Sequence, residues 1–491
     1  MKRLITAALV SVGLTAVTSL VGANEDTIAE EVSPQQMQTW FDQGVRAFQK
    51  EKFSQAVSSL SRFQLSQSES PANEEWALFF LALSYEQAGL THAAVETFRS
   101  LLTIAANPQT VNAAVAALER ISRTHPFDRN TLVNRTLIPL DVEFLTDDLQ
   151  NFRLFYQGQY NWSTGFIDWG NDVFANIDES SEYFARYLIL DAQRLVFMGN
   201  IDTALEQLTR VLKRDNLDEA IQAQAASFIA RLNYEQKRFV VAADQYDDVL
   251  AINSTSSALL ERAWSLYMAG HAEQAYGLLH AFSAPSYRFA FTPEFFILKT
   301  HIQKDHCHYD AVGTTQEHFF ERYESAVQGI YDRKNYGDTS FSEIHRVLLQ
   351  NPRIKATWEF LLLLENEIEQ ISVLWPKATK THLRELYLLK IEQTQWELGQ
   401  LLETNYEATA NALLVYSEEM NLIGYEMGVE RFQSSPGAEQ ISGQRTQIDK
   451  QDLAGKVRYP VDGEYWNDEL KDYIATLSDE CLTTETWSAN Q

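Results

Sequence analysis

One spacing pattern recurs three times between Arg186 and Phe282, and it constrains the fold more than any other feature of the chain. It runs Ala192, Leu195, Gly199, Ala204, Leu208, then Ala230, Asn233, Lys237, Ala242, Tyr246, then Ala263, Leu266, Gly270, Ala275, Leu279. Within each set the offsets are three, four, five and four residues, and the fourth member recurs after 38 and then 33 residues. A period in the thirties marks a solenoid of stacked helix pairs. The first alanine of each set belongs where the two helices of a pair cross, because a larger side chain would hold the backbones apart. The second alanine begins the next helix and meets the following unit in the same way. Gly199 and Gly270 fall in the turn, where a residue free to take positive φ closes helix on helix.

Two earlier units lie in residues 38–108: Trp40, Gly44, Phe48, Ala56, Leu60, and then Ala82, Tyr85, Gly89, Ala94, Phe98. Asn107-Pro108 follows, and a helix from Val111 to Arg123 ends at Thr124-His125-Pro126. A sixth, degenerate unit opens at Thr292-Pro293-Glu294, a hydroxyl cap with proline in the first turn and an acid at the positive dipole end. Its first helix runs into Asp305-His306-Cys307-His308, and Tyr309-Asp310-Ala311 begins the second. This set of positions resembles the tetratricopeptide repeat, with the consensus tryptophan and closing proline mostly missing. In that repeat the first helix of each unit lines a concave groove. Carried across, the groove positions are Gln193 and Phe197, Arg231 and Tyr234, Trp264 and Tyr267. Aromatic residues with arginine suit a protein-binding hot spot. The Lys/Asn set of carboxylate-clamp repeats is absent, which argues against capture of a C-terminal tail.

Residues 127–185 are irregular against the repeat, with helices expected over Leu145–Tyr156 and Trp169–Ile177. The run from Tyr160 to Gly170 is dense in aromatics, including Trp162, Phe166 and Trp169. Such residues fill a gap between solenoid blocks or, if exposed, stack on sugars or peptides. Beyond Phe341 the period changes. Thr357, Leu361, Leu364, Ile368, Ile371 and Trp375 alternate by four and three, and Pro376 breaks the run. The alternation resumes at Tyr387, Ile391, Thr394, Leu398, Leu401, Asn405, Ala408, Ala412, Val415, Glu419 and Leu422. Sustained 4-3 spacing on both sides of a proline predicts an antiparallel coiled-coil hairpin. Ser434–Gly455 reads as a flexible linker. Tyr459-Pro460-Val461-Asp462-Gly463 then turns the chain into a tail, with a last helix to Cys481, that docks back on the body.

The expected fold class is all-α: a tetratricopeptide-like helical solenoid in two blocks, an antiparallel coiled-coil hairpin and a short C-terminal docking segment. The boundaries are a signal peptide at 1–23, an N-terminal block at 34–126, aromatic-rich connecting helices at 127–185 and a central block at 186–335. The hairpin follows at 341–431, then the linker at 432–458 and the docking segment at 459–491. Lys2 and Arg3, the weakly apolar run Leu4–Val21 and Val21-Gly22-Ala23 have the order of a cleavable secretory signal rather than a membrane span. Removing residues 1–23 leaves 38 Lys and Arg against 67 Asp and Glu, a formal charge of −29. That charge opposes binding to nucleic acid or anionic lipid. The expectation is therefore an exported, periplasmic protein whose two cysteines, Cys307 and Cys481, form a disulfide in an oxidising compartment.

The chain has no glycine-rich phosphate loop, no Gly-x-Ser-x-Gly elbow and no His-Glu-x-x-His helix, so neither an enzyme nor a cofactor is expected. His301, His306, Cys307, His308 and His318 form a cluster whose spacing matches no standard metal site. Histidines at a helix C-terminus also cap carbonyls. The Phe-Thr-Pro-Glu-Phe-Phe-Ile-Leu-Lys segment and the terminal Gly-Glu-Tyr-Trp-Asn-Asp-Glu-Leu resemble large periplasmic tetratricopeptide proteins of Gram-negative bacteria, some associated with gliding motility. That resemblance implies a protein-binding scaffold in a cell-envelope complex. A binder of cell-wall glycan or exported polysaccharide, using the Tyr160–Trp169 aromatics, is the alternative.

Overall fold

The computed structural model describes residues 32–66, 71–140, 145–215, 217–287, 290, 292–332, 348–349, 351–374, 377–433, 465–466 and 469–481. The expected signal peptide and linker, and most of the Tyr459–Leu470 motif, lie outside them. Among the described residues there is no strand. The helices are α1 (Pro34–Gln49), α2 (Phe53–Leu65), α3 (Pro71–Gln87), α4 (Thr91–Ile104), α5 (Pro108–Thr124), α6 (Asp147–Ser163) and α7 (Ile167–Phe174). They continue with α8 (Glu182–Phe197), α9 (Ile201–Leu212), α10 (Glu219–Glu235), α11 (Phe239–Ile252), α12 (Ser256–Met268) and α13 (Ala272–Ala281). The last four are α14 (Pro293–Asp305), α15 (Tyr309–Tyr331), α16 (Pro352–Leu374) and α17 (Lys377–Gln433). Asn130–Leu137 is π-helical. The chain divides into two compact units, the first drawn mainly from Met1–Phe166 and Asn351–Glu403, the second mainly from Ile167–Arg333 and Thr404–Gln491.

The repeat spacing is a backbone requirement, and the turns show it. Gly199, Lys237 and Gly270 have φ of +81°, +60° and +85°. Each turn closes with the same bond, the next residue's N–H to a carbonyl five residues back: Asn200 to Leu195, Arg238 to Asn233 and His271 to Leu266. The alanines at 192, 204, 230, 242, 263 and 275 are fully buried. The degenerate sixth unit keeps this geometry with Cys307 in the turn at φ +58° and His308 bonded to Gln303. Its crossing positions are the buried Thr300 and Val312. Thr292 precedes α14 as expected, but its side chain makes no capping bond.

One repeat-like turn escapes the sequence reading. Gly158, Asn161, Gly165, Gly170 and Phe174 have the same offsets of three, four, five and four. Gly165 has φ +88°, and the N–H of Phe166 bonds the Asn161 carbonyl at 2.8 Å. The stretch read as irregular connecting helices thus contains a repeat turn. Glycine stands at both of the small positions that are alanine in the three central units.

In the first unit, α1 and α2 meet at Gly44, where a Cβ would stand 2.5 Å from Leu60 Cγ. The unit's buried polar centre is Glu367 of α16. Its carboxylate accepts the first-turn N–H groups of α4, from Thr91 at 2.8 Å and His92 at 3.1 Å. The Tyr387 hydroxyl of α17 donates to the same carboxylate and accepts the N–H of Ala93 at 3.1 Å. A helix N-terminus leaves its first N–H groups unpaired, and here a side chain 275 residues away satisfies two of them. Burial nevertheless pushes the Glu367 carboxyl up to about 7, the hydrogen bonds opposing it. Burial likewise pulls His92, edge-on to Phe360 and Tyr387, down to about 4.

The order of contacts shows α16 and the start of α17 to be antiparallel. Glu367 meets Tyr387, and further back on α16 Arg353 meets Glu397, further along α17, at 3.5 Å. The expected seam is buried or half-buried from Thr357 to Ile371 and from Tyr387 to Asn405. Past Asn405 it departs from expectation: Ala408, Ala412, Val415 and Leu422 are exposed and Glu419 is half-buried. The buried row is instead Ala410, Leu413, Ser417, Met420 and Ile423. An α-helix drifts about 20° per heptad against a strict 3.5-residue repeat. Over the five heptads from Tyr387 to Leu422 that is about 100°, one residue position. This half of α17 belongs to the second unit and packs on α14 and α15, with Gln316 donating to the Met420 carbonyl at 2.6 Å.

The C-terminal segment docks on the second unit, but not as the expected last helix. Apart from a 3-10 turn at Leu470–Asp472, residues 473–481 have no helical structure. The N–H of Ala475 bonds the Glu273 carbonyl at 3.1 Å and that of Glu480 bonds the His306 carbonyl at 3.0 Å. Leu470 and Leu477 enter the core formed by α12, α13 and α14. Cys481 is joined to Cys307, their Cα atoms 5.1 Å apart. Backbone lies so close to α13 that a Cβ on Gly277 would stand 2.2 Å from the Tyr473 carbonyl oxygen. Gly277→Val is therefore expected to displace the segment. It should cost about 2–3 kcal/mol in chemical denaturation, from exposure of Leu470 and Leu477, and open a protease-sensitive site beyond Leu470.

Candidate partner-binding surface

The six positions expected to line a groove all lie on first helices of the central repeats: Gln193 and Phe197 on α8, Arg231 and Tyr234 on α10, Trp264 and Tyr267 on α12. Their i, i+3 or i, i+4 spacing places each pair on one face of its helix. The structure treats the pairs differently. Gln193 and Phe197 are exposed, Phe197 at 93%. Arg231 makes a two-pronged pair with Glu261 of α12, Nε at 3.0 Å and an Nη at 2.8 Å. Tyr234 is half-buried, edge-on to Phe239 at 5.2 Å between ring centroids.

Trp264 and Tyr267 are tied to their own chain. Trp264 lies between Tyr267 and His301, with ring centroids 6.1 and 6.5 Å away. The Tyr267 hydroxyl donates to Asp305 at 2.6 Å. Burial, with help from Asp305, pushes its pKa up and keeps it a donor. His301 in turn faces Glu419 of α17 at 3.4 Å. A cross-linked row thus runs from α10 through α12 and α14 to α17. Glu261, Asp305 and Glu419 are its acceptors, and no spacing rule marks them out in a chain with 67 acidic residues. The pair on α8 stands exposed outside this row, and the pair on α12 is the one held by α14.

The histidine cluster is taken up by structural contacts. His306 Nδ1 lies 2.8 Å from the Ile302 carbonyl, a C-terminal cap on α14. His308 Nε2 meets the Ser478 carbonyl at 2.5 Å, Cys307 is in the disulfide and His318 is exposed. Among the described residues no three His, Cys, Asp or Glu side chains are placed to hold a metal ion. In the aromatic stretch Tyr160 and Trp162 are half-buried on α6, whereas Phe166 and Trp169 are exposed. No described helix is long and apolar enough to cross a membrane.

Stacked helix pairs with this turn and this spacing define an all-α, tetratricopeptide-like solenoid. Residues 190–258, from α8 into α12, match the family model for the tetratricopeptide repeat. No curated protein matches the chain. Repeats of this kind are protein-interaction scaffolds, typically non-catalytic.

Proposed function

We propose that this chain is an exported scaffold of the cell envelope that binds protein partners through the first-helix face of its central repeats, starting at α8. The observation that carries the reading is Phe197. It is a large apolar side chain left 93% exposed on α8, within the residues that match the repeat and at a position expected to line a groove. An interface built on such a residue gains most of its energy from a few aromatic and arginine anchors. Export is supported by the basic, apolar and small-residue order of residues 1–23 and by the pairing of both cysteines.

Crosslinking and affinity purification from native envelope tests the reading. Phe197→Ala should reduce capture of the partner about 30-fold, the effect of losing a hot-spot residue. Arg231→Ala and Trp264→Ala should weaken it as well, with helical content unchanged. Equal capture by folded variants would remove the groove assignment. A second reading, glycan binding, rests on the exposed ring of Trp169. Pull-down of purified cell-wall glycan that is lost in Trp162→Ala and Trp169→Ala would favour it.

A further inference from the structure

The second half of α17 has two apolar faces, and only one is buried among the described residues. Ala410, Leu413, Ser417, Met420 and Ile423 are buried against the second unit. On the opposite side Val415, Leu422, Tyr425 and Val429 are 58%, 56%, 71% and 36% exposed. With Glu418 between the first two, these positions advance by three, four, three and four residues. That is the seam of a coiled coil, sustained for about four turns, or about 20 Å.

Charge selects what can lie on it. From Thr404 to Glu430 the helix carries five glutamates and no lysine, arginine or histidine. Glu419, Glu426 and Glu430 are turned to His301 and Lys304 of α14. Glu418 interrupts the exposed stripe itself, and Glu407 lies on the same side of the helix. A second copy of this chain would set Glu407 and Glu418 of two such helices together with no cation on that face of either helix, and like charges along a seam destabilise it. We infer that this face docks a basic amphipathic helix of a partner protein, with apolar residues in the seam and lysine or arginine beside it. It is a second interaction surface, on other elements than the repeat face around Phe197.

The probe is a pair of synthetic helical peptides of about four heptads, with leucine in the seam and either lysine or glutamate at the flanking positions. Binding to the full chain is followed by fluorescence anisotropy, with sedimentation of the free protein in parallel. The lysine peptide should bind at least about tenfold tighter than the glutamate peptide and weaken as salt is raised. The Leu422→Gln/Val429→Gln double variant should lose at least about tenfold in affinity while keeping its melting curve, because neither side chain is in the core. Phe197→Ala should bind the peptide normally. Equal binding of the two peptides, or binding unaffected by the double variant, would overturn the inference. So would a dimer that the double variant makes monomeric, which assigns the face to a second copy. Binding that appears only on deleting residues 434–464 would likewise assign it to the chain's own segment.

Discussion

Reducing the Cys307–Cys481 disulfide is expected to cost between about 2 and 5 kcal/mol of stability. The bond closes a loop of 174 residues, and chain-entropy arithmetic sets the upper figure. The lower figure allows for residual structure in the reduced, unfolded chain. Cys481→Ser is the informative variant, because Cys307 also forms a turn at φ +58° and replacing it would disturb two things at once. Denaturant titrations of native and Cys481→Ser protein give the difference. Hydrogen exchange should localise it, with the amides of Ala475 and Glu480 losing protection as they leave the Glu273 and His306 carbonyls. Two titratable thiols in unreduced, denatured protein would contradict the pairing.

Glu367→Ala is expected to destabilise the first unit by about 3–4 kcal/mol. It removes an acceptor for two buried N–H groups and for the Tyr387 hydroxyl, and nothing within α4 can replace it. The pH dependence separates this carboxyl from an ordinary surface acid. Its pKa is raised to about 7 in the folded state from an ordinary 4.5. The folded chain therefore holds a proton there that the unfolded chain has lost, and the stability this contributes is present below pH 4.5 and fades as pH rises through 7. His92, lowered from 6.5 to about 4, acts in the opposite sense: its contribution is present above pH 6.5 and is lost as pH falls through 4. Between these limits the two slopes largely cancel. Glu367→Gln removes one and leaves the other, so its stability deficit should shrink from pH 5 to pH 8. A deficit independent of pH would show that Glu367 titrates normally.

The solenoid was legible because its turn imposes a backbone conformation and a fixed set of small residues, and both leave marks at fixed offsets. Lys237 and Cys307 show that the offsets matter more than glycine itself, since both take the left-handed turn. The turn at Gly165 escapes the spacing pattern because the small residues on either side, Gly158 and Gly170, are glycines, which also read as breaks. The phase of α17 was misread past Asn405 because a heptad pattern tells where apolar residues align, not which partner covers them. The Cys307–Cys481 pairing followed from counting cysteines. Glu367 was out of reach. A carboxylate that caps a helix 275 residues earlier has no local signature, and it looks like any surface glutamate until the chain is folded. The positions expected to line the groove fall on α8, α10 and α12, and their exposure depends on what α14 and α17 lay beside them.

The cap that Glu367 places on α4 also sets an order of events in time. A ribosome adds roughly 5–20 residues per second, so 275 residues take on the order of 15–55 s. During that interval the N-terminal helices exist without the residues that complete their unit. Residues 167–332 emerge meanwhile, and most of the second unit's helices come from them. A chain stopped before α16 would present α1–α5 with Thr91 and His92 uncapped and the surface that meets Phe360 and Tyr387 bare. Both units thus wait for later residues, the first for α16 and the start of α17 and the second for Thr404–Cys481, and the unfinished helices are where holding chaperones would be needed during biogenesis.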